Sequence, residues 1–587
     1  MDGSDVFDGD EDAALRYAIA LSLQESGGHS SEKPIEIGSD DDDDDDLDKG
    51  PKYPPIVRGA SSQPTRPSLR DATPKDVPKP MQQCTSTTAV NTFATLGLDR
   101  KKMEEERLAR LRKRKASESD AGDQDRRQRP KLDTEARIDS TAESNPRRLP
   151  FPKGVVKKTW AAGFPREDDI KIEEVLQKDE LELAVLSSFQ WDEEWMLSKI
   201  DITKTRIVCI AFASSEAQQE EMKANVPASR IRFCFPPMMP AGNMHSKLQL
   251  LKYPGYLRIV VPSGNLVPFD WGETGSLENM VFLVDLPRIE DAESRAINNL
   301  NEFGEELCYF LRAQGLNEKL VASLANYDFS ETDRYRFIHT IGTSHVGDKW
   351  QRTGYCGLGR AVASLGLNTD KDIEVDFVTS SLGSLNREFL TAIYFAAQGD
   401  DGLKEYGMRA SKGAKRKAPE PTGREPDLES RFRIYFPSRD TVVRSRLGEN
   451  SKWWDAATFP RALVRDCQST RPGLLMHNKL MLVRPSPTTS PSSSSSGEER
   501  SAGGAYAYVG SANLSESAWG RLTKERGTGN PKLTCRNWEC GVLVPVRAPT
   551  TSGKDLAATF EGVVPVPMGV PAEAYAASRR PWLYLES

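Results

Sequence analysis

The stretches "HSKLQLL" (His245–Leu251) and "HNKLMLV" (His477–Val483) decide how this chain is read. Each sets His-x-Lys at the head of an apolar run, in a protein with five histidines in 587 residues. A second phrase follows each: "VPSGNL" carries Asn265 and "VGSANL" carries Asn513, 20 and 36 residues after the respective histidines. A low-complexity insertion accounts for most of that difference. Strand side chains alternate with a period of two, so His and Lys two apart share a face, and a neighbouring strand ending at Asn brings an amide beside them. A single His-x-Lys reads as polar residues at a strand edge. The doubled pattern reads as one site built from two related halves.

From Trp160 onward, apolar strands alternate with amphipathic helices, the pattern of an α/β protein. Candidate strands include "LELAVLSSF", "TRIVCIAFA", "HSKLQLLKY" and "YLRIVVPSGNL", and then "YRFIHTIG", "IEVDFVTSS", "HNKLMLVRP" and "AYAYVGSANL". "SSEAQQEEMKANV" reads as a helix capped by Ser214 or Ser215, and "LNREFLTAIYFAAQ" as a second helix. We therefore expect two pseudo-symmetric α/β sandwich halves, at 155–330 and 331–587, each with a mixed central sheet flanked by helices. The Ser/Pro-rich run at 485–504 and the basic run at 411–426 read as disordered insertions in the second half.

Length allows two or three domains, and 37% hydrophobic residues allow sizeable cores. The net charge of −7 conceals a division: residues 1–50 hold seventeen acidic against three basic side chains, leaving the remainder net positive. No apolar run reaches the ~20 residues of a membrane span, and the acidic start lacks a signal-peptide pattern, so a soluble, non-secreted protein without a membrane role is expected. The eight cysteines show no CxxC pair or zinc spacing. Reduced thiols, no metal and no cofactor are the expectation.

Residues 1–150 read as a disordered regulatory tail, too poor in apolar side chains to offset ordering entropy. Within it, residues 10–26 place Leu15, Ala18 and Ser22 on one helical face with Glu25 beyond, which resembles a ubiquitin-interacting motif. Residues 34–46, "PIEIGSDDDDDDD", are similar to a SUMO-interacting strand, with Gly38 where a further branched residue would be expected. Basic clusters within 110–131 are spaced like a two-part nuclear import signal, giving an expected nuclear location. Such clusters also bind nucleic acid nonspecifically.

The His, Lys and Asn sets suit a phosphodiester. Lysine charge and asparagine amides can hold nonbridging oxygens as phosphorus becomes five-coordinate, and two facing histidines supply an in-line nucleophile and acid. The repeat itself does not say which histidine is which.

These residues resemble the phospholipase D superfamily, whose two His-x-Lys motifs meet across a domain interface. Most members carry Asp five residues after the Lys; here Lys252 and Arg484 stand at those positions. That departure, with Asn265 and Asn513, resembles the tyrosyl-DNA phosphodiesterase branch, over roughly 155–587 and in "FQWDEEW", "DFVTSSLGSL", "GSANLSESAWG", "NWECGVL" and "RRPWLY". The resemblance implies a fold of the phospholipase D type and hydrolysis of a 3′-phosphotyrosyl bond between DNA and a trapped topoisomerase peptide. It implies His245 as nucleophile and His477 as acid and then base, with Lys247, Lys479, Asn265 and Asn513 on the phosphate. Glu539 would orient His245, and Glu278 would serve His477. Ser380 and Ser381 would contact the DNA backbone, and Phe189 would line the peptide side. The stretch "MMPAGNMH" lacks the aromatic often found before the first histidine in this family, so no base-stacking residue is assigned there. Expected partners are DNA 3′ ends carrying a tyrosyl peptide, ubiquitin or ubiquitinated proteins, and SUMO, with the enzyme a monomer. A lipid phosphodiesterase or general nuclease, and a noncatalytic ubiquitin-reading scaffold, are the rival readings.

Overall fold

The computed structural model describes residues 149–413, 425–447, 460–486, 504–546, 555–575 and 578–582. The tail motifs at 10–26, 34–46 and 110–131 lie outside them, as do most of 411–426 and 485–504.

The first half contributes β1 (Val155–Thr159), β2 (Asp169–Ile170), β3 (Leu183–Ser187), β4 (Arg206–Ile210), β5 (Ile231–Cys234), β6 (Gln249–Tyr253), β7 (Tyr256–Pro262), β8 (Leu277–Glu278) and β9 (Met280–Pro287). The second contributes β10 (Arg336–Thr340), β11 (Ser344–His345), β12 (Ile373–Val378), β13 (Phe432–Phe436), β14 (Val464–Asp466), β15 (Leu475–Met476), β16 (Leu480–Pro485), β17 (Ala505–Gly510), β18 (Arg521–Lys524), β19 (Pro531–Thr534) and β20 (Glu539–Val546).

Among the described residues the first sheet runs β2-β1-β9-β7-β6-β3-β4-β5 and the second β10-β20-β17-β16-β12-β13-β14. Apart from β2 the two orders are the same. In each, the first long strand of the half sits beside its last, and the strand after each His-x-Lys lies between equivalent neighbours. Directions agree as well: β3-β4-β5 and β12-β13-β14 are parallel, while β6 and β16 run antiparallel to both neighbours. The expected α/β sandwich with pseudo-symmetric halves is therefore what the chain forms. The first strand precedes Trp160, so regular structure begins slightly earlier than composition suggested.

The strands are apolar on both faces because both are covered. Leu250, Ile259 and Phe282 of the first sheet share one core with Leu482, Ala507 and Val542 of the second, together with Phe303, Leu307 and Phe310 of the helix Glu302–Gln314. The outer face of the first sheet packs on the helices Ile172–Leu176 and Glu193–Ser198, and that of the second on Gly354–Ser364 and Arg387–Ala397. Two of these ends follow the sequence closely: Ser215 caps the helix Glu216–Ala224, and Asn386 caps Arg387–Ala397, each accepting from a backbone N–H of the first turn.

The His-x-Lys segments are the main departure. Neither lies within a strand: β6 begins at Gln249 and β16 at Leu480, and the residues from each His to the strand start are irregular. The reason is that each segment pairs across to the other half. Met244 bridges to Trp538, and His245 N–H donates to the Trp538 carbonyl (3.0 Å). In the related position, β15 pairs with β8, and His477 N–H donates to the Glu278 carbonyl (3.0 Å). Each histidine thus hangs from a short ladder whose other strand belongs to the opposite half.

Candidate active site

That exchange puts a carboxylate from each half behind the histidine of the other. Glu539 Oε2 lies 2.9 Å from His245 Nδ1, and it also accepts from Ser511 Oγ (2.6 Å), while Asn537 Nδ2 donates to Oε1 (3.1 Å). Asp270 Oδ1 stands 3.1 Å from His477 Nδ1, with the Asn265 N–H on Oδ2 (2.7 Å) and Asn279 Nδ2 on Oδ1 (3.1 Å). A carboxylate at Nδ1 leaves the lone pair of a neutral imidazole on Nε2, the nitrogen available for chemistry.

The expected partner of His477, Glu278, is thereby corrected. Its carbonyl meets the His477 backbone, but its carboxylate turns to Ser469, which donates through Oγ at 2.6 Å. The two inter-half ladders explain the error. They make Trp538 equivalent to Glu278, so the true counterpart of Glu539 is Asn279, one residue further on. Asn279 Oδ1 accepts from Ser263 Oγ (2.9 Å) as Glu539 accepts from Ser511, the matching serine of the repeated Ser-x-Asn-Leu. An amide replaces the carboxylate in the first half, and Asp270, five residues after Asn265, supplies the charge instead.

Lys247 and Lys479 are buried, and each donates through Nζ to the carbonyl of its own histidine, at 2.9 and 2.6 Å. Lys479 also reaches the Ser263 carbonyl (3.4 Å), two residues from Asn265, which ties the second set to the first. Asn513 Oδ1 accepts from Thr379 Oγ1, Ser380 N and Ser380 Oγ at 3.0–3.2 Å, which fixes the oxygen end of this amide. Ser380 thus spends its hydroxyl on orienting Asn513, and the half-buried Ser381 follows it. Asn265 is held by its backbone: its carbonyl accepts from Trp271 Nε1 (3.0 Å), and its buried Oδ1 has no hydrogen-bond partner among the described residues. The Phe189 ring, 44% exposed, lies 5.1 Å from the His245 ring. Lys252 and Arg484 pair with carboxylates, Glu182 at 3.1 Å and Asp376 at 2.6 Å.

Burial pushes the His245 pKa down, with Lys247 adding to the effect and Glu539 opposing it. It pushes His477 down to about 4, against the pull of Asp270. Asp270 itself, despite the upward push of burial, is held at about 2 by His477, the Asn265 N–H and Lys479. Burial lowers Lys247 to about 8 and, together with Lys247, takes Lys479 well below its ordinary value. Two buried ammonium groups that repel each other form a site set for an anion.

The same crowding has a cost to folding. Between pH 8 and 10.5 the unfolded chain binds the Lys247 proton more tightly than the folded one, so stability rises with pH across that window and the whole penalty is present below it. At about 1.4 kcal/mol per pKa unit, the penalty is about 3 kcal/mol, less about 1 kcal/mol for the hydrogen bond to the His245 carbonyl. Lys247→Met is therefore expected to raise Tm by about 2–5 °C at pH 7 while abolishing activity, with the gain shrinking by pH 10. Paired thermal melts at the two pH values check this, and an unchanged or lower Tm at pH 7 contradicts it.

The family model for tyrosyl-DNA phosphodiesterase matches residues 155–576, and that for the ubiquitin interaction motif matches residues 10–26. A curated relative, tyrosyl-DNA phosphodiesterase 1 of Arabidopsis thaliana, is 24% identical over 235 residues, or 38% of each chain, so this chain spans well under half of that relative's length in the match. The solved yeast tyrosyl-DNA phosphodiesterase superposes with a TM-score of 0.50 at 18% identity, covering 73% of this chain and 99% of that one. A mutant form of the yeast protein gives 0.51 at 17%, covering 74% and 99%. At such identities the structural likeness speaks for the fold, a sandwich of the phospholipase D type. The family match takes in both His-x-Lys segments, both asparagines and both carboxylates found behind the histidines, and with it the chain belongs to the tyrosyl-DNA phosphodiesterase family.

Proposed function

We propose that the protein hydrolyses the 3′-phosphotyrosyl bond between DNA and a trapped topoisomerase peptide, and related 3′ adducts, through a covalent phosphohistidine. The observation that carries this reading is the reciprocal support of the two histidines, each with a carboxylate of the opposite half at Nδ1. With both imidazoles neutral, two lysines balance two carboxylates. An arriving phosphodiester adds one negative charge, raises the histidine pKa values and so favours the protonated acid that the leaving group needs.

His245 Nε2 attacks phosphorus and forms the P–N bond. The P–O bond to tyrosine breaks, its electron pair stays on the phenol oxygen, and His477 Nε2 delivers a proton there. Water then attacks phosphorus, His477 takes its proton, and the P–N pair returns to His245, leaving DNA with a 3′-phosphate. Lys247, Lys479, Asn265 and Asn513 hold the nonbridging oxygens throughout. A phenol of pKa ~10 leaves far more readily than a sugar alkoxide, which favours release of tyrosine over strand scission. Ser380 and Ser381 border the DNA side and Phe189 the peptide side.

The test is release of tyrosine from a defined 3′-tyrosyl single strand compared with hydrolysis of phosphatidylcholine; lipid turnover without tyrosine release would favour the lipid-phosphodiesterase alternative. Among the described residues no group of three or more His, Cys, Asp or Glu could hold a metal ion, and lysines carry the charge in this scheme. Activity is accordingly expected to be unchanged in EDTA; loss restored by magnesium or zinc would overturn the two-histidine mechanism.

The tail serves recruitment in this reading, with ubiquitin on Leu15, Ala18, Ser22 and Glu25, SUMO on 34–46, and nuclear import through 110–131. The catalytic part acts as a monomer. Deletion of residues 1–150 is expected to leave kcat on a short oligonucleotide within about twofold, and Leu15→Ala with Ser22→Ala to abolish ubiquitin binding. Titration with ubiquitin checks the second point, and unchanged binding by the double variant removes the motif.

A further inference from the structure

We infer that Arg471 and Glu278 form a positioning latch for His477, governing the hydrolytic second step of the reaction proposed above; the inference rests on that reading.

His477 is suspended from a ladder of two residues per strand, Leu475 opposite Leu277 and Met476 opposite Glu278. So short a ladder has little rigidity of its own. A set of charged groups surrounds it. Ser469 Oγ donates to Glu278 Oε1 (2.6 Å), and Arg471 Nε lies 3.5 Å from Glu278 Oε2. Arg471 also donates through Nη1 to the Thr159 carbonyl (3.0 Å) and sets Nη2 3.7 Å from Asp169 Oδ2. Arg446 adds a second tie, donating through Nη1 to the Gly275 carbonyl (2.9 Å), while its N–H takes the Gly473 carbonyl (2.9 Å). Arginines of the second half thus grip the first half on both sides of the ladder.

The Glu278 and Asp169 carboxylates are fully buried and Arg471 is 9% exposed. Apolar groups would close such a joint more cheaply, so a buried ionic set here is read as a device that fixes one geometry. Among the described residues the equivalent joint under His245 uses no such set. There Trp538 Nε1 donates to the Pro237 carbonyl (3.0 Å), and Gly242 packs so tightly that an added Cβ would meet the Arg536 carbonyl oxygen at 2.4 Å. The two histidines have related chemistry but different mounts. Loosening the ionic mount displaces His477 alone. Departure of a phenolate tolerates a displaced acid, whereas activation of water requires a placed base, so the second step is the sensitive one.

The experiment follows full-length Arg471→Met and Glu278→Gln with two labelled oligonucleotides, one carrying 3′-phosphotyrosine and one a 3′-(4-nitrophenyl)phosphate whose phenolate leaves without protonation. Arg471→Met is expected to slow breakdown of the covalent intermediate at least about tenfold, so that a protein–DNA band accumulates on a denaturing gel, with the nitrophenolate burst within about threefold of wild type. Glu278→Gln, which retains the bond to Ser469, is expected to act in the same direction by about threefold, and Arg471→Lys to recover part of the loss. Wild-type tyrosine release and a trapped band from His477→Ala serve as controls; their failure sinks the mechanism itself. If they succeed and folded Arg471→Met slows both steps equally, or neither, only the latch is wrong. If Arg471→Met does not fold, the absence of accumulation in Glu278→Gln is enough to reject it.

Discussion

His245→Ala lowers turnover of a 3′-phosphotyrosyl oligonucleotide by about 10⁴-fold or more and leaves no covalent species, in the expectation set by its place in the site. In the proposed scheme the Glu539 carboxylate at Nδ1 leaves the lone pair of His245 on Nε2 for attack; Asp270 gives His477 the same support, so it is the family resemblance that assigns the nucleophile's role to His245. His477→Ala differs in kind. Phenolate can depart with little help, but the phosphohistidine then lacks its base, so turnover falls while a protein–DNA species builds up. Denaturing gels of both variants with labelled substrate check the pair. A band from His245→Ala and none from His477→Ala would reverse the roles.

Conservative changes behind the rings should separate the two jobs further. Asp270→Asn is expected to cost about 10²–10³-fold in kcat, since an amide can donate to Nδ1 and leave a proton fixed on Nε2, the wrong tautomer for a base. The covalent intermediate should therefore accumulate. Glu539→Gln places the same fault on His245, whose Nε2 lone pair is then lost, and should cost a similar factor with no accumulation at all. Single-turnover kinetics distinguish these outcomes; accumulation in Glu539→Gln, or in neither variant, would show that the carboxylates act otherwise. Asp270, held at about 2, stays charged across the working range, so loss of activity on acidification should not originate there.

The sequence carried much of this because the repeat preserves residue type and the spacing within each short motif, although the two motifs stand 20 residues apart in one half and 36 in the other, His to Asn. Two His-x-Lys segments, each followed by Ser-x-Asn-Leu, imply two related sheets with a site between them, and the matching strand orders have that form. What the sequence could not convey lies in contacts across the halves. Periodicity places His245 and Lys247 on one face, but it gives no sign that the backbone leaves its own sheet there to meet Trp538. The Glu278 assignment failed for the same reason: proximity of Glu278 to His477 is real at the backbone, while a one-residue offset in the ladder sends the carboxylate to Ser469. Asp270 had one local signal, an acidic residue five positions after Asn265, at the distance where a turn can return its side chain to the Asn265 N–H. Ser380 was placed at the site by resemblance, yet its bond to Asn513 joins residues 133 positions apart, beyond the reach of any local pattern.

The most direct test is to map the covalent bond. Full-length His477→Ala, incubated with a 3′-tyrosyl oligonucleotide and digested under conditions that spare the P–N bond, should yield one nucleotide-bearing peptide, modified at His245. Modification of any other residue, or tyrosine release at wild-type rate with no modified peptide, would contradict the two-histidine account.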